Sequence, residues 1–293
     1  MGTARALVPK PHRLREDTHK ELRGMKPSPE KDVLYKELHH YAEEAAEMER
    51  RLQEYFIPLH GPTQFLSPRA FFRSSIFNAR SRSVERSPNV ELELPAEPDG
   101  PTIRYSGPEL RQSDGRVFLA LLHMLRDIQV GTKVTLLPEA LCIALFGRYD
   151  GNTRKQLRTH IQRLQKGLIV TDRFSVQLCQ EFDYPARGPW RVALHPHIVE
   201  LFRLSPRVWL SMSVRLTLTE GLPTWLYAYI ESQTHLIPMR IAKLRELSGS
   251  ESEERAFVNS MRLALKELAN RDIIEPGWSL RQGLIRWMKK RED

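Results

Sequence analysis

Hydrophobic and polar positions along this chain follow two periods, and the elements they predict recur in one order. Over about 152–166, Leu157, Ile161 and Leu164 share one face of a helix that turns ~100° per residue. Lys155, Thr159, Gln162 and Lys166 lie opposite, with Arg158 and Arg163 at the flanks. A second such helix is predicted over about 253–270. Its core face is Phe257, Met261, Ala264, Leu265 and Leu268, and its opposite face is Arg255, Asn259, Arg262, Lys266 and Asn270. Strand-like sequence follows each helix.

The settings of the two helices match. A helix begins near Gln112 or Ser113, with Val117, Phe118, Leu121, Leu122 and Leu125 as its buried face. An extended piece at 133–136 follows, then a helix at 137–146 stopped by Gly147, and the striped helix stopped by Gly167. Strands at 168–171, 174–178 and 190–194 come next. In the second half a helix spans 216–233, with Leu222, Trp225, Leu226, Tyr229 and Ile230 facing inward. A lead at 236–238, a helix at 239–247 ending at Gly249, and the second striped helix follow. Segments 273–274 and 278–280 form a hairpin about Pro276-Gly277, and 281–290 reads as a basic tail. Helix, short strand, two helices and a hairpin is the order of a winged helix-turn-helix. The expected fold is therefore α+β and helix-rich, with two tandem winged-helix domains at 71–205 and 206–293.

Upstream, residues 1–29 are polar and dotted with Pro, as a mobile tail would be. Within 30–57, Leu34, Leu38, Tyr41, Ala45, Met48, Leu52 and Tyr55 alternate spacings of four and three. That is the a/d seam of a long heptad helix. It reads equally as a homodimer or partner contact and as a helix lying on its own domain. Residues 58–70 read as a linker from their Pro and Gly. Arg69, Arg73, Arg80, Arg82 and Arg86 follow, with Glu85 the only acid among them. Residues 84–101 read as an irregular strand pair or loop, and 102–105 as a strand.

Charge sharpens this picture. The 293 residues carry a net charge of +9, yet residues 1–60 hold 11 basic and 11 acidic side chains. The excess lies beyond. Between 141 and 175, Arg148, Arg154, Lys155, Arg158, Arg163, Lys166 and Arg173 face only Asp150 and Asp172. Basic clusters on particular elements mark a polyanion partner. Arg, Lys, Asn and Gln grip phosphates and hydrogen-bond base edges in the major groove. Two such helices in equivalent settings predict a protein that holds double-stranded DNA twice. Arg154, Arg158, Arg163 and Arg271 are expected on phosphates, and Lys155, Thr159, Arg255, Asn259 and Arg262 on bases. Gln162, Lys166, Lys266 and Asn270 extend the two faces.

Other chemistry is sparse. Cys142 and Cys179 are the only cysteines, and Cys142 in its apolar run reads as a buried thiol. No metal site or cofactor is expected. No stretch approaches the ~20 apolar residues of a membrane span, and no signal-peptide core is seen, so a cytoplasmic protein is expected. His195-Pro196-His197 resembles the metal-binding His pair of nicking initiators, but Pro is a poor strand centre. No phosphate-cradling GxxxxGK[ST] loop occurs. A non-enzymatic DNA-binding protein is expected, with a winged-helix transcription regulator and a relaxase-like nicking endonuclease as alternatives.

Several segments resemble the TrfA-type replication initiators of broad-host-range plasmids. They are 72–77 (Phe-Arg-Ser-Ser-Ile-Phe), 103–114 (Ile-Arg-Tyr-Ser-Gly-Pro-Glu-Leu-Arg-Gln-Ser-Asp) and 117–123. Segments 190–194, 201–202, 238–240 and 244–249 continue the likeness, and the run 105–114 is its most specific part. The resemblance covers roughly 71–289. It implies a bacterial tandem winged-helix initiator that binds direct repeats (iterons) at a plasmid origin. It also implies opening of an adjacent A·T-rich segment, with its single strands as a further ligand, and recruitment of the host helicase and polymerase clamp. The Gln-led, Leu-Phe-ended clamp peptide of that family has no clean copy. Gln64-Phe65-Leu66 breaks off at Ser67-Pro68, and Leu145-Phe146 lacks the Gln.

Overall fold

Elements form here where an apolar face is bounded by a chemical stop. The computed structural model of the protein describes residues 29–95 and 100–290, without the side chains of residues 29–31, 34, 35 and 38. Helix α1 (Pro29–Gln53), β1 (Gln64–Pro68) and α2 (Arg69–Phe72) come first. Strands β2 (Phe77–Asn78), β3 (Val90–Leu94), β4 (Ile103–Gly107) and β5 (Leu110–Arg111) lead into α3 (Gln112–Met124). Next are β6 (Val134–Leu136), α4 (Pro138–Phe146), α5 (Gly151–Lys166), β7 (Leu168–Val170), β8 (Ser175–Gln177), β9 (Glu181–Asp183) and β10 (Trp190–Ala193). A 3-10 turn (Pro196–Glu200) and α6 (Leu201–Leu204) precede β11 (Arg207–Ser211), α7 (Met212–Thr217) and α8 (Leu222–Glu231). The last elements are β12 (Met239–Arg240), α9 (Ile241–Leu247), α10 (Glu254–Ala269), β13 (Ser279–Arg281) and β14 (Leu284–Arg286). The fold is α+β.

One unit of topology occurs twice. Elements α3, β6, α4, α5, β9 and β10 have the same order as α8, β12, α9, α10, β13 and β14. The strand orders also agree: β6-β10-β9 in the first sheet, β12-β14-β13 in the second. In both, the strand between the first two helices pairs antiparallel with the last strand of the unit. Asp150 starts α5 as a reciprocal cap. Its carboxylate accepts the Thr153 N–H at 2.7 Å, and the Thr153 hydroxyl accepts the Asp150 N–H at 2.9 Å.

Several expectations shift. The hairpin of the second unit turns at Gln282-Gly283, not at Pro276-Gly277, so 281–290 is no tail. Both turn residues have positive φ, 50° and 70°, which matches the twist of a tight two-residue hairpin. Residues 168–178 do form a hairpin, β7–β8, but it joins β3 and β4 in a separate four-stranded sheet. The helix expected over 216–233 is broken between α7 and α8, where Gly221 sits at φ 117° and Pro223 opens the next helix. The expected linker 58–70 contains β1, whose residues Gln64–Pro68 pair antiparallel with Ser211–Arg207 of β11.

The heptad helix packs on the body at its C-terminal end. Leu52 is buried and Met48 half-buried, while Tyr41 and Tyr55 are exposed. Arg51 fastens this end by donating to the carbonyls of Ile57 and Arg126. The side chains of Leu34 and Leu38 and the expected tail over 1–28 lie outside the described residues. No helix among the described residues is long and apolar enough to cross a membrane.

A single hydrophobic core runs through both units. The arginine-rich stretch 69–86 lies along the junction. Arg73 donates to the Ser232 carbonyl at 2.8 Å, the Ala79 N–H to the Ser248 carbonyl at 2.8 Å, and the Trp225 indole to the Ser74 carbonyl at 3.1 Å. Arg80 pairs with Glu251, and Arg116 with Glu220. Arg215 is 2% exposed and donates to the Gln112 carbonyl at 2.9 Å. Burial pushes its guanidinium down to about 9.

Gly249 closes the junction. Its φ is +65°, and a Cβ there would lie 2.8 Å from the Ser75 Cβ and 2.9 Å from the Asn78 Cβ. Left-handed backbone alone costs a non-glycine residue ~1–2 kcal/mol, and overpacking adds ~1–3. Gly249→Ala should lower the urea-unfolding free energy by more than about 2 kcal/mol. Gly151→Ala is the control: a Cβ there meets nothing within 4 Å. In the first helical turn it should be neutral or stabilising by up to ~1 kcal/mol.

Candidate nucleic-acid interface

Helix α10 presents its polar stripe freely. Phe257, Met261, Ala264, Leu265 and Leu268 are each at most 1% exposed, so the inward face is fully used. Arg255, Asn259, Arg262, Lys266 and Asn270 are all exposed on the other side. The sequence placed all of these residues on their observed faces. Arg271 is placed differently. Its guanidinium donates to the Thr217 hydroxyl at 2.7 Å and to the Thr217 carbonyl at 2.9 Å. It ties the end of α10 to α7 and is engaged before any phosphate arrives.

Helix α5 is more crowded. Leu157, Ile161 and Leu164 are fully buried, as the periodicity requires. The loop between β9 and β10 folds over one flank. Arg154 lies over the Trp190 ring at 5.0 Å and donates to the carbonyls of Pro185 and Ala186 at 3.0 Å each. Arg158 lies over the Tyr184 ring at 5.5 Å, and Gln162 donates to the Tyr184 hydroxyl at 2.9 Å. Lys155 and Lys166 remain exposed. Thr159 is half-buried and its hydroxyl donates back to the Lys155 carbonyl at 2.9 Å. The open part of the first stripe is thus Lys155, Thr159 and Lys166, with Arg154, Arg158 and Gln162 holding a loop beside it. Tyr184 has no periodic signal, which is why the sequence did not show this cover.

Arg163 departs furthest from expectation, because a buried acid claims it. Asp114 is 0% exposed. Its Oδ1 accepts from Arg163 Nε at 2.8 Å and from His160 Nδ1 at 2.7 Å. Its Oδ2 accepts from Arg86 at 2.7 Å and from the Arg111 N–H at 2.8 Å, capping α3. Burial alone would raise this carboxyl. The hydrogen bond and charge of His160, with the charges of Arg163 and Arg86, outweigh it and hold the group well below the carboxylate range. Arg163 is therefore an anchor of α5 to α3. Beside it, Glu109 accepts from Arg111 at 2.6 Å and Arg80 at 2.8 Å. The run 105–114, singled out by resemblance, is the joint that positions α5.

A third basic surface lies on the last sheet, where the sequence read as a basic tail over 281–290. Arg240 pairs with Leu284, which pairs with Arg281, and Ser279 pairs with Arg286. These positions share the outer face of the β12-β14-β13 sheet, while Ile285 points inward and is fully buried. Arg240, Arg281 and Arg286 are all exposed. The alternation Leu284-Ile285-Arg286 carried the signal, but the misplaced turn hid it.

The other chemical features make local contacts. The His195 ring accepts the His197 N–H at 3.1 Å and starts the 3-10 turn. Among the described residues, no group of three His, Cys, Asp or Glu is placed to hold a metal ion. Both cysteines are free and buried, and burial pushes the Cys179 thiol up to about 12.

No protein-family model matches the chain, and no curated protein matches its sequence. Among solved structures, a crystal structure of domains 2 and 3 of RctB matches with a TM-score of 0.53. The match covers 78% of this chain and 99% of that one at 14% identity. The chain shares its fold with those two domains. A second structure of RctB domains 2 and 3 matches at 16% identity over 73% of this chain and 95% of that one, with a TM-score of 0.48. The TrfA-type resemblance rests on the segments quoted above alone.

Asp114→Asn should cost about 3–5 kcal/mol of unfolding free energy at neutral pH, because the cations around it lose their charge partner. The folded carboxyl titrates below the unfolded one. Its stabilisation is thus complete above the ordinary carboxylate range near pH ~4 and is lost as pH falls below it. Urea unfolding of both proteins from neutral pH downward should show their difference shrinking below that range.

Proposed function

We propose that this chain is a sequence-specific, double-stranded DNA-binding replication initiator built from two tandem winged helices, with no enzymatic activity of its own. One observation carries the reading. The same helix and strand order occurs twice, with the same sheet order, and the third helix of each unit presents a polar, basic stripe. In a winged helix that third helix enters the major groove. The domains are 71–205 and 206–293, with β1 of the preceding segment pairing onto the start of the second. The fold it shares with domains 2 and 3 of RctB, a replication initiator of Vibrio chromosome II, supports the initiator reading. Direct repeats at a plasmid origin, origin opening, and helicase and clamp recruitment come from the TrfA-type resemblance.

The contacts divide by chemistry. Lys166, Lys266 and the sheet arginines Arg240, Arg281 and Arg286 serve the phosphates. Lys155, Thr159, Arg255, Asn259, Arg262 and Asn270 serve base edges. Because both units share one core, the two stripes keep a fixed spacing, and an insertion between the two half-sites should weaken binding.

Footprinting on an origin fragment of the replicon that encodes the protein, with permanganate probing of neighbouring thymines, tests the reading. Protected repeats beside reactive thymines are expected. Protection confined to a promoter, with unreactive thymines, would make the protein a regulator, and strand cleavage in magnesium or manganese would make it a nicking enzyme. Arg262→Ala should weaken specific binding about 5- to 100-fold, the worth of one good base contact, and leave non-specific binding nearly unchanged. Lys166→Gln should reduce the slope of log affinity against log salt by about 0.9, one phosphate's share. Arg163→Gln should leave that slope alone and lower the unfolding midpoint instead.

A further inference from the structure

Leu263 has no role in the fold. It is 70% exposed, and no other large hydrophobic side chain among the described residues is as exposed. At ~100° per residue, the buried residues of α10 fill an arc of about 100°, and Leu263 lies about 100° beyond its nearer edge. It stands only ~40° from Asn259 and ~20° from Asn270 around the helix. Its neighbours one turn away are Asn259, Ser260 and Lys266, all exposed, and the half-buried Glu267, whose carboxylate accepts the Thr219 N–H at 2.8 Å. With Lys266, Glu267, Asn270 and Arg271 it lines an open recess of about 540 Å³. Ala256, two turns earlier on the same flank, is exposed as well.

An apolar side chain beside an exposed lysine and amides, with its one acidic neighbour already engaged, fits few partners. A protein groove that buried Leu263 would also bury Lys266, and an unpaired buried cation is costly. Lipid acyl chains carry the same penalty. The major groove of DNA offers phosphates for the cations and base edges for the amides. Its apolar feature is the C5-methyl group of thymine, which other unmodified bases lack.

We propose that Leu263 is a specificity-determining residue that recognises the 5-methyl group of a pyrimidine, thymine in unmodified DNA, in the groove read by α10. This rests on α10 being a DNA-reading helix. Leu263 then selects by shape at one position, while Arg262 and Asn259 select by hydrogen bonding at others.

The test is selection of bound duplexes from a randomised pool by the full chain, as wild type, Leu263→Ala and Leu263→Gln. One position should be dominated by thymine for the wild type, and that preference alone should flatten in both variants. Replacing that thymine with uracil, which removes only the methyl, should weaken wild-type binding about fourfold and leave Leu263→Ala unaffected. Equal unfolding midpoints would show that the variants are folded. Wild-type protein that binds its selected duplex equally well with uracil at every thymine would overturn the proposal for Leu263 while leaving the DNA-reading function intact. A pool from which no sequence is enriched would overturn both.

Discussion

Four donors converge on the carboxylate of Asp114: two guanidiniums, an imidazole and the backbone N–H of Arg111. They come from the loop before β3, from α5 and from the residue preceding α3. A buried carboxylate without such partners is strongly disfavoured, so every element that supplies one is committed to this arrangement. The angle of α5 on α3, and with it the direction in which Lys155 and Thr159 point, follows from that commitment. The same demand explains where much of the positive charge goes. Arg80, Arg86, Arg111, Arg116 and Arg163 are each paired with an internal acid. Each of these pairs cancels in the formal net charge of +9, so the field that a polyanion meets comes from the cations outside them, among which are Arg255, Arg262 and Lys266 on α10 and Arg240, Arg281 and Arg286 on the adjoining sheet.

The repetition of one topology along the chain does not make two independent bodies. Strand β1 pairs with β11, Arg73 and Trp225 bridge the junction, and the core is continuous across it. The units share little sequence because their inner surfaces face different neighbours. In the first unit, α3 contributes Gln112 and Arg116 to the junction. In the second, α8 contributes Trp225, and the loop and helix before it contribute Glu220 and Arg215. What the units keep in common is the order of their helices and strands in the chain and of the strands in the sheet.

The helix faces were legible from spacing alone. Leu157, Ile161 and Leu164 on α5, and Phe257 to Leu268 on α10, lie where a 3.6-residue period puts them, because burial of one face is what the period encodes. Short strands were less legible. A two- or three-residue strand such as β12 or β14 has too few positions to show alternation, and the turn at Gln282-Gly283 competes with the equally plausible Pro276-Gly277. Polar networks were not legible at all. The run 105–114 stood out by resemblance, but nothing local in it says that Asp114 will meet Arg163 from 49 positions away. Such pairs exist only once the helices have packed, so a basic residue on a helix flank reads the same whether it faces DNA or a buried acid.

Helix α1 packs on the body through its last turns. With a rise of ~1.5 Å per residue, the stretch from Pro29 to the exposed Tyr41 extends about 20 Å from the part that packs near Met48 and Leu52. A partner that met Val33 and Tyr41, both exposed, would meet positions eight residues apart on a rigid rod rather than on a loop.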